Sequence, residues 1–251
     1  MSDTWDFYFA NVNNEFASLF VDLGLAEVAP DSSRPWLLWT WVYLNDPNEQ
    51  GMTTDEEAPV LDEIEENLME AVEGATAGEL VGRITTAGRR EFYFYSPTHI
   101  GYEDAVARTL AQFAGYRFDS GVEQDAEWNH YLRVLYPSPH DIQRIKNRHV
   151  IQVLSDNGDD LEKPRIVAHW AYFPTEAARA NFIAEARKLK YAVIGERKVD
   201  EPGHERPYCA HLERIDSVDW GTINEVTIEL YDLAAAQDGE YDGWETGLAD
   251  Q

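Results

Sequence analysis

The sequence predicts an α+β protein of two ferredoxin-like domains, each an antiparallel sheet in β-α-β-β-α-β order with helices on one face. Three observations predict it. Apolar residues switch between period-two and period-3.6 spacing in that order, beginning at Trp36. The same order returns from Arg165 onward. Between the two sets, Pro137 and Pro139 interrupt the pattern.

Trp5 to Phe9 is aromatic and alternating, the signature of a short added edge strand. Trp36 to Leu44 is apolar on both faces and bounded by Pro35 and Pro47, as a central strand requires. Thr53 and Thr54 each stand three residues before a Glu, the capping-box spacing, and predict a helix start there, with Pro59 in the first turn. Leu61, Ile64, Leu68 and Val72 then share one helical face, and Gly74 to Gly78 ends the element. Leu80 to Thr85 and Glu91 to Tyr95 read as a hairpin around Ala87-Gly88. Val106, Leu110 and Phe113 mark a second helix over Tyr102 to Phe113. Tyr116 to Val122 and Trp128 to Tyr136 are expected to supply one or two closing strands.

Ile142, Ile145, His149 and Val153 predict an amphipathic helix that Asn157-Gly158 stops. It carries Arg144, Lys146 and Arg148, the one basic stretch, and reads as a linker between domains. Its basic face is expected to pair with the acidic domains rather than with RNA. Arg165 to Phe173 is a strand and Thr175 to Leu189 a helix. Tyr191 to Val199 and Tyr208 to Ile215 are strands, Ile223 to Ala234 a helix, and Tyr241 to Leu248 closes the set. The expected organisation is residues 1–137 as an N-terminal α+β domain, 138–155 as a linker helix and 156–251 as the second domain.

Charge narrows the function. Lys and Arg number 20 against 47 Asp and Glu, a formal net charge of −27. That repels a nucleic-acid backbone and favours a basic protein partner. The acids are segregated: ten and no base follow Arg214, and twelve and no base lie between Arg34 and Arg83. No apolar run spans a bilayer, and Met1 to Asp6 lacks the basic start and apolar core of a signal peptide. One cysteine, Cys209, allows neither an intrachain disulfide nor a Cys-based zinc site, and in a strand it is expected to be inert. A cytoplasmic protein is the expectation.

No phosphate loop, nucleophile elbow or His-Glu-x-x-His motif is present. Asp156-Asn157-Gly158-Asp159-Asp160 lacks the spacing and distal Glu of a calcium loop, so it is read as a helix stop and turn. His169 and His211 fall in strands and His204 in a loop, with nothing in the pattern to bring them together. Catalytic residues, cofactor and metal are therefore all expected to be absent.

The most distinctive stretch is Glu240-Tyr241-Asp242-Gly243-Trp244-Glu245-Thr246, in which Asp-Gly predicts a bulge. With Gly158-Asp159-Asp160, Pro164-Arg165, His169-Trp170, Phe173 and Leu189 to Val193, it makes residues 156 to 250 resemble the family of the regulator of ribonuclease E activity B. Two departures stand out: Lys190 occupies the place of a Gly, and Glu245 follows the Trp where the family's founding type has Gly. Residues 1–137 resemble a domain of unknown function often fused to that family, through Gly51, Gly82-Arg83-Ile84-Thr85 and Arg90 to Tyr95. The resemblance implies a non-catalytic bacterial regulator that inhibits ribonuclease E or a related RNA-processing enzyme. Partner-binding candidates are Glu240, Tyr241, Asp242, Trp244, Glu245, His169 and Trp170. Within that stretch, Tyr241 and Trp244 are expected to pack inward and Asp242 and Glu245 to carry more of any recognition; the alternative is a recognition edge in which the bulge re-aims Trp244 and the carboxylates toward a partner. Alternatives are a hydrolase using strand histidines and carboxylates, and an acidic anti-toxin or nucleic-acid mimic.

Overall fold

The computed structural model describes residues 4–199, 203 and 205–249. Two compact units divide the chain, Met1–Asp141 and Ile142–Gln251. Each is a mixed α/β unit with its own antiparallel sheet. His204 lies outside the described residues.

The N-terminal unit contains β1 (Trp5–Val12), β2 (Glu15–Asp22), β3 (Trp36–Tyr43), α1 (Ala58–Thr76), β4 (Glu79–Thr86), β5 (Arg89–Ser96), α2 (Tyr102–Leu110) and β6 (Phe118–Gln124). Its sheet runs β1-β2-β4-β5-β3-β6. Helices α1 and α2 bury Leu61, Ile64, Leu68, Val72, Tyr102 and Val106 against Leu38, Val42, Phe92 and Phe94. Burial of such side chains stabilises by about 1.5–3 kcal/mol each. Ala87 and Gly88 both take positive φ and close the β4–β5 hairpin, as the Ala-Gly pair predicts.

The expected edge strand over Trp5 to Phe9 is present and extended, and two other expectations fail. The N-terminal edge is a full hairpin, because Asn13 and Asn14 at φ 53° and 68° turn β1 back into β2. Helix α1 starts at Ala58, not at the threonines. Buried Glu57 instead accepts the backbone N–H groups of Asn45 (2.7 Å) and Asp46 (3.1 Å), which ties the preceding loop to the helix. Trp128 to Tyr136 is not a strand. The Asp125 carboxylate accepts the N–H groups of Asn129 and His130, each at 2.9 Å, and winds the segment into a helical turn over Tyr131–Leu135. Its aromatics suit a strand by composition, yet they serve as a lid: Trp128 stacks on Tyr95 with ring centroids 4.1 Å apart.

The C-terminal unit contains most of α3 (Pro139–Asp156), then β7 (Arg165–Phe173), α4 (Glu176–Lys188), β8 (Ala192–Lys198), β9 (Tyr208–Asp216), α5 (Trp220–Ala235) and β10 (Glu240–Glu245). Its sheet order is β10-β7-β9-β8. In this unit, as in the set from β3 to β6, the first strand lies between the third and fourth and the second lies outside the third. Thr175 and Asp219 cap α4 and α5 through their side chains. Helices α4 and α5 pack Phe182, Ile183, Ala186, Val226 and Leu230 on Ala171, Phe173, Ala210 and Leu212. Asp159, in the acidic turn after α3, is held by Arg165 through two contacts of 2.6 Å. That pairing keeps its carboxyl below the usual carboxylate range.

Candidate functional site

The stretch Glu240 to Glu245 forms β10, an edge strand whose one sheet neighbour is β7. Pairing runs Tyr241 to Ala171, then Gly243 to Trp170 and Trp244 to His169, so Asp242 is the extra residue of a β-bulge. Gly243 sits at φ +144°, a conformation that favours glycine. The bulge decides where the aromatics point. In an unbroken strand, residues three apart face opposite sides. The added residue brings Tyr241 and Trp244 to the same side, the one that the helices cover.

Tyr241 is buried, with its hydroxyl 2.8 Å from Nδ1 of His169. His169 is buried too, and burial, together with the positive charge of Arg214 and the neighbouring His211, pushes its pKa down to about 3. It is a neutral imidazole at physiological pH. Trp244 is half-buried against Leu154, Val167, Val218 and Ile223, and its indole N–H donates to Oδ1 of Asn147 at 2.9 Å. Asn147 is fully buried on α3 and completes its bonding: Oδ1 also accepts from Gln143, and Nδ2 donates to Asn224 (2.8 Å) and Thr227 (2.7 Å) on α5. Sequence reasoning missed Asn147. An Asn amid the charged residues of an amphipathic helix carries no pattern of its own.

The candidate residues therefore divide. Tyr241, Trp244 and His169 face the helices, inside the unit. Trp170 takes the other face of the sheet, where it stacks on His211 with centroids 4.7 Å apart. Glu240, Asp242 and Glu245 are exposed along the edge strand, and Glu240 lies 3.7 Å from Arg206. Of the ten acids that follow Arg214, Glu225, Asp232 and Asp238 are also exposed. Two others have structural work: Asp216 pairs with Arg214 at 2.8 Å. Asp219 caps α5, and the Ser217 hydroxyl and the helix N–H groups hold its pKa down to about 2.

His169 and His211 lie on opposite faces of the sheet. Among the described residues no cluster of three His, Cys, Asp or Glu is placed to hold a metal. Cys209 is buried within β9. No described helix is long and apolar enough to cross a membrane.

Comparison with known proteins matches the two halves of the chain to different families. Residues 3–136 match a family of unknown function (DUF695), more than half of the chain, and the chain belongs to that family. Residues 144–246, which take in Asn147, His169 and all of β10, match the family described as regulator of ribonuclease activity B. No curated protein matches the sequence. Among solved structures, an unknown protein from Galdieria sulphuraria is 8% identical, over 83% of this chain and 96% of that one, with a TM-score of 0.21.

Proposed function

We propose that the protein is a non-catalytic bacterial cytoplasmic regulator whose C-terminal unit binds a basic segment of ribonuclease E, or of a related RNA-processing enzyme, and restrains its activity. The C-terminal unit is read as a ferredoxin-like fold, and so is the set from β3 to β6. The observation that carries the proposal is the match of residues 144–246 to regulators of ribonuclease activity. The form of β10 supports it: the bulge spends the aromatics on internal packing and leaves Asp242 and Glu245 exposed on an edge strand. Exposed acids on such an edge steer a basic partner and set its orientation more than they add raw affinity.

The test is cleavage of a fluorogenic RNA by purified ribonuclease E with the full chain added, beside the triple variant Glu240→Gln, Asp242→Asn, Glu245→Gln. The parent should slow cleavage, and the variant should lose most of that effect while melting at the parent's temperature. Parent and variant inhibiting equally would remove β10 from the interface. A parent that neither binds the enzyme nor slows it would overturn the proposal.

A further inference from the structure

In the N-terminal unit, a recess of about 310 Å³ opens on the helix-covered side of the sheet. Its floor comes from β4 and β5, through Arg83, Thr85 and Arg90. Strand register builds it in two rows. Ser18 pairs with Thr85 and Thr85 with Arg90, while Phe7 pairs with Phe20 and Phe20 with Arg83.

A second bulge sets the facing of Arg83. The β4–β5 register shifts between Leu80 and Gly82, so Leu80 and Arg83, three apart, face the same side. A Cβ on Gly82 would stand 3.1 Å from the Phe20 carbonyl oxygen, which explains the glycine. The remaining wall is the loop before α1, which contributes Met52 and Thr53. That loop is fixed: Asn48 Oδ1 accepts the N–H groups of Gln50 and Met52, and Pro47 bridges to Thr53. Gly51, at φ +73°, packs so closely that a Cβ would lie 2.9 Å from the Gly88 nitrogen.

The chemistry of the lining runs against the rest of the chain. In a protein of net charge −27, the recess is lined by two arginines and by no acid. The acids that balance them stand on α1: Asp62 is 2.9 Å from Nη1 of Arg90, and Glu65 contacts both guanidiniums. Arg90 is buried, and its Nε–H has no hydrogen-bond partner. The Thr53 hydroxyl is likewise buried and unpartnered. Buried polar groups are seldom left unbonded without a ligand or water to satisfy them. Guanidiniums match carboxylate and phosphate oxygens best. Phe7 and Phe20 supply an apolar wall beside them, and the volume suits a small ligand.

We propose that this recess binds a small organic anion. Its carboxylate or phosphate is held by Arg83, Arg90 and the Thr53 hydroxyl, and its apolar body lies on Phe7 and Phe20. The site belongs to the N-terminal unit and does not depend on the partner proposed for the C-terminal one. The test is calorimetric titration of the full chain with phenyl phosphate, benzoate, inorganic phosphate and uncharged benzyl alcohol. Phenyl phosphate or benzoate should bind with Kd of about 1 mM or tighter, and the stronger of the two names the anionic group. Inorganic phosphate and benzyl alcohol should each bind about tenfold more weakly. Arg83→Gln should weaken the favoured anion about tenfold. Because Arg83 also pairs with Glu65, the rim variants Phe7→Ser and Thr53→Val supply a second measure, each expected to weaken binding severalfold without shifting the melt. Binding by neither organic anion, binding that all three variants leave unchanged, or inorganic phosphate binding as tightly as phenyl phosphate would overturn the proposal.

Discussion

Trp244 donates its indole N–H to Asn147 Oδ1 at 2.9 Å, joining the last strand of the C-terminal unit to its first helix. The bond matters because Asn147 has no access to solvent. A buried amide that loses a partner has no water to replace it. Trp244→Phe keeps most of the ring and should cost about 1–2 kcal/mol, the loss of one buried hydrogen bond. Trp244→Ala also opens the apolar cluster around Leu154 and Ile223 and should cost about 2–4 kcal/mol. Urea unfolding of both variants checks this. A Trp244→Ala protein as stable as the parent would show the ring to be available to a partner instead.

Lys190 stands at φ +69°, just after α4 ends, where a side chain is strained and glycine is not. Its N–H bonds to the Arg187 carbonyl at 3.1 Å, so the turn itself is sound. Lys190→Gly should therefore stabilise the protein by about 0.5–1 kcal/mol, after allowing for the greater freedom glycine gives the unfolded chain. The midpoint of denaturant unfolding measures it, and a destabilised variant would show that the lysine side chain contributes more than the strain removes.

Acid should act in two windows. His169 titrates at about 3 when folded, against 6.5 ordinarily, so between those values the unfolded chain binds the proton and the folded one does not. Stability from this group is complete above pH 6.5 and is lost as pH falls, by about 2 kcal/mol at pH 5. His130 of the N-terminal unit, pushed down to about 4 by burial, acts the same way. Asp159 and Asp219 titrate below their ordinary value of 3.8, so their contribution disappears only in stronger acid. Urea unfolding of the parent between pH 7 and pH 5 should show the first loss. His169→Gln, which keeps an amide within reach of the Tyr241 hydroxyl, should show less of it. Equal slopes for parent and variant would remove His169 from the account.

Local chemistry was legible in the sequence, and distant pairing was not. Asp-Gly in a strand announces the bulge of β10, whereas the side to which it turns Trp244 is decided by the register with β7. The strands and helices from Arg165 to Ala235 follow from apolar periodicity because each buries one clear face. The segment from Trp128 to Tyr136 misleads because its aromatics suit a strand while a single carboxylate, Asp125, winds it into a turn. Asn147 is invisible for a related reason. Three of its four partners lie 77 to 97 residues away, and no spacing rule reaches that far. The recess floored by Arg83 and Arg90 likewise arises from the pairing of four strands.

Helix α3 decides where the C-terminal unit can be cut. A fragment beginning at residue 156 keeps every strand of the β10-β7-β9-β8 sheet yet loses Asn147, Val150, Ile151 and Leu154. Val167, Val218, Ile223 and Trp244 would then face water, and Asn224, Thr227 and Trp244 would lose their shared partner. Uncovering a few such apolar side chains costs about 4–8 kcal/mol, comparable to the whole stability of an ordinary domain. Residues 138–251 should therefore fold alone with one cooperative melt. Residues 156–251 should melt broadly and bind a hydrophobic dye, although their secondary structure partly survives. Calorimetry and dye fluorescence on the two fragments distinguish these outcomes. If the shorter fragment melts as sharply and as high as the longer one, α3 is a connector and the core of the unit is complete without it.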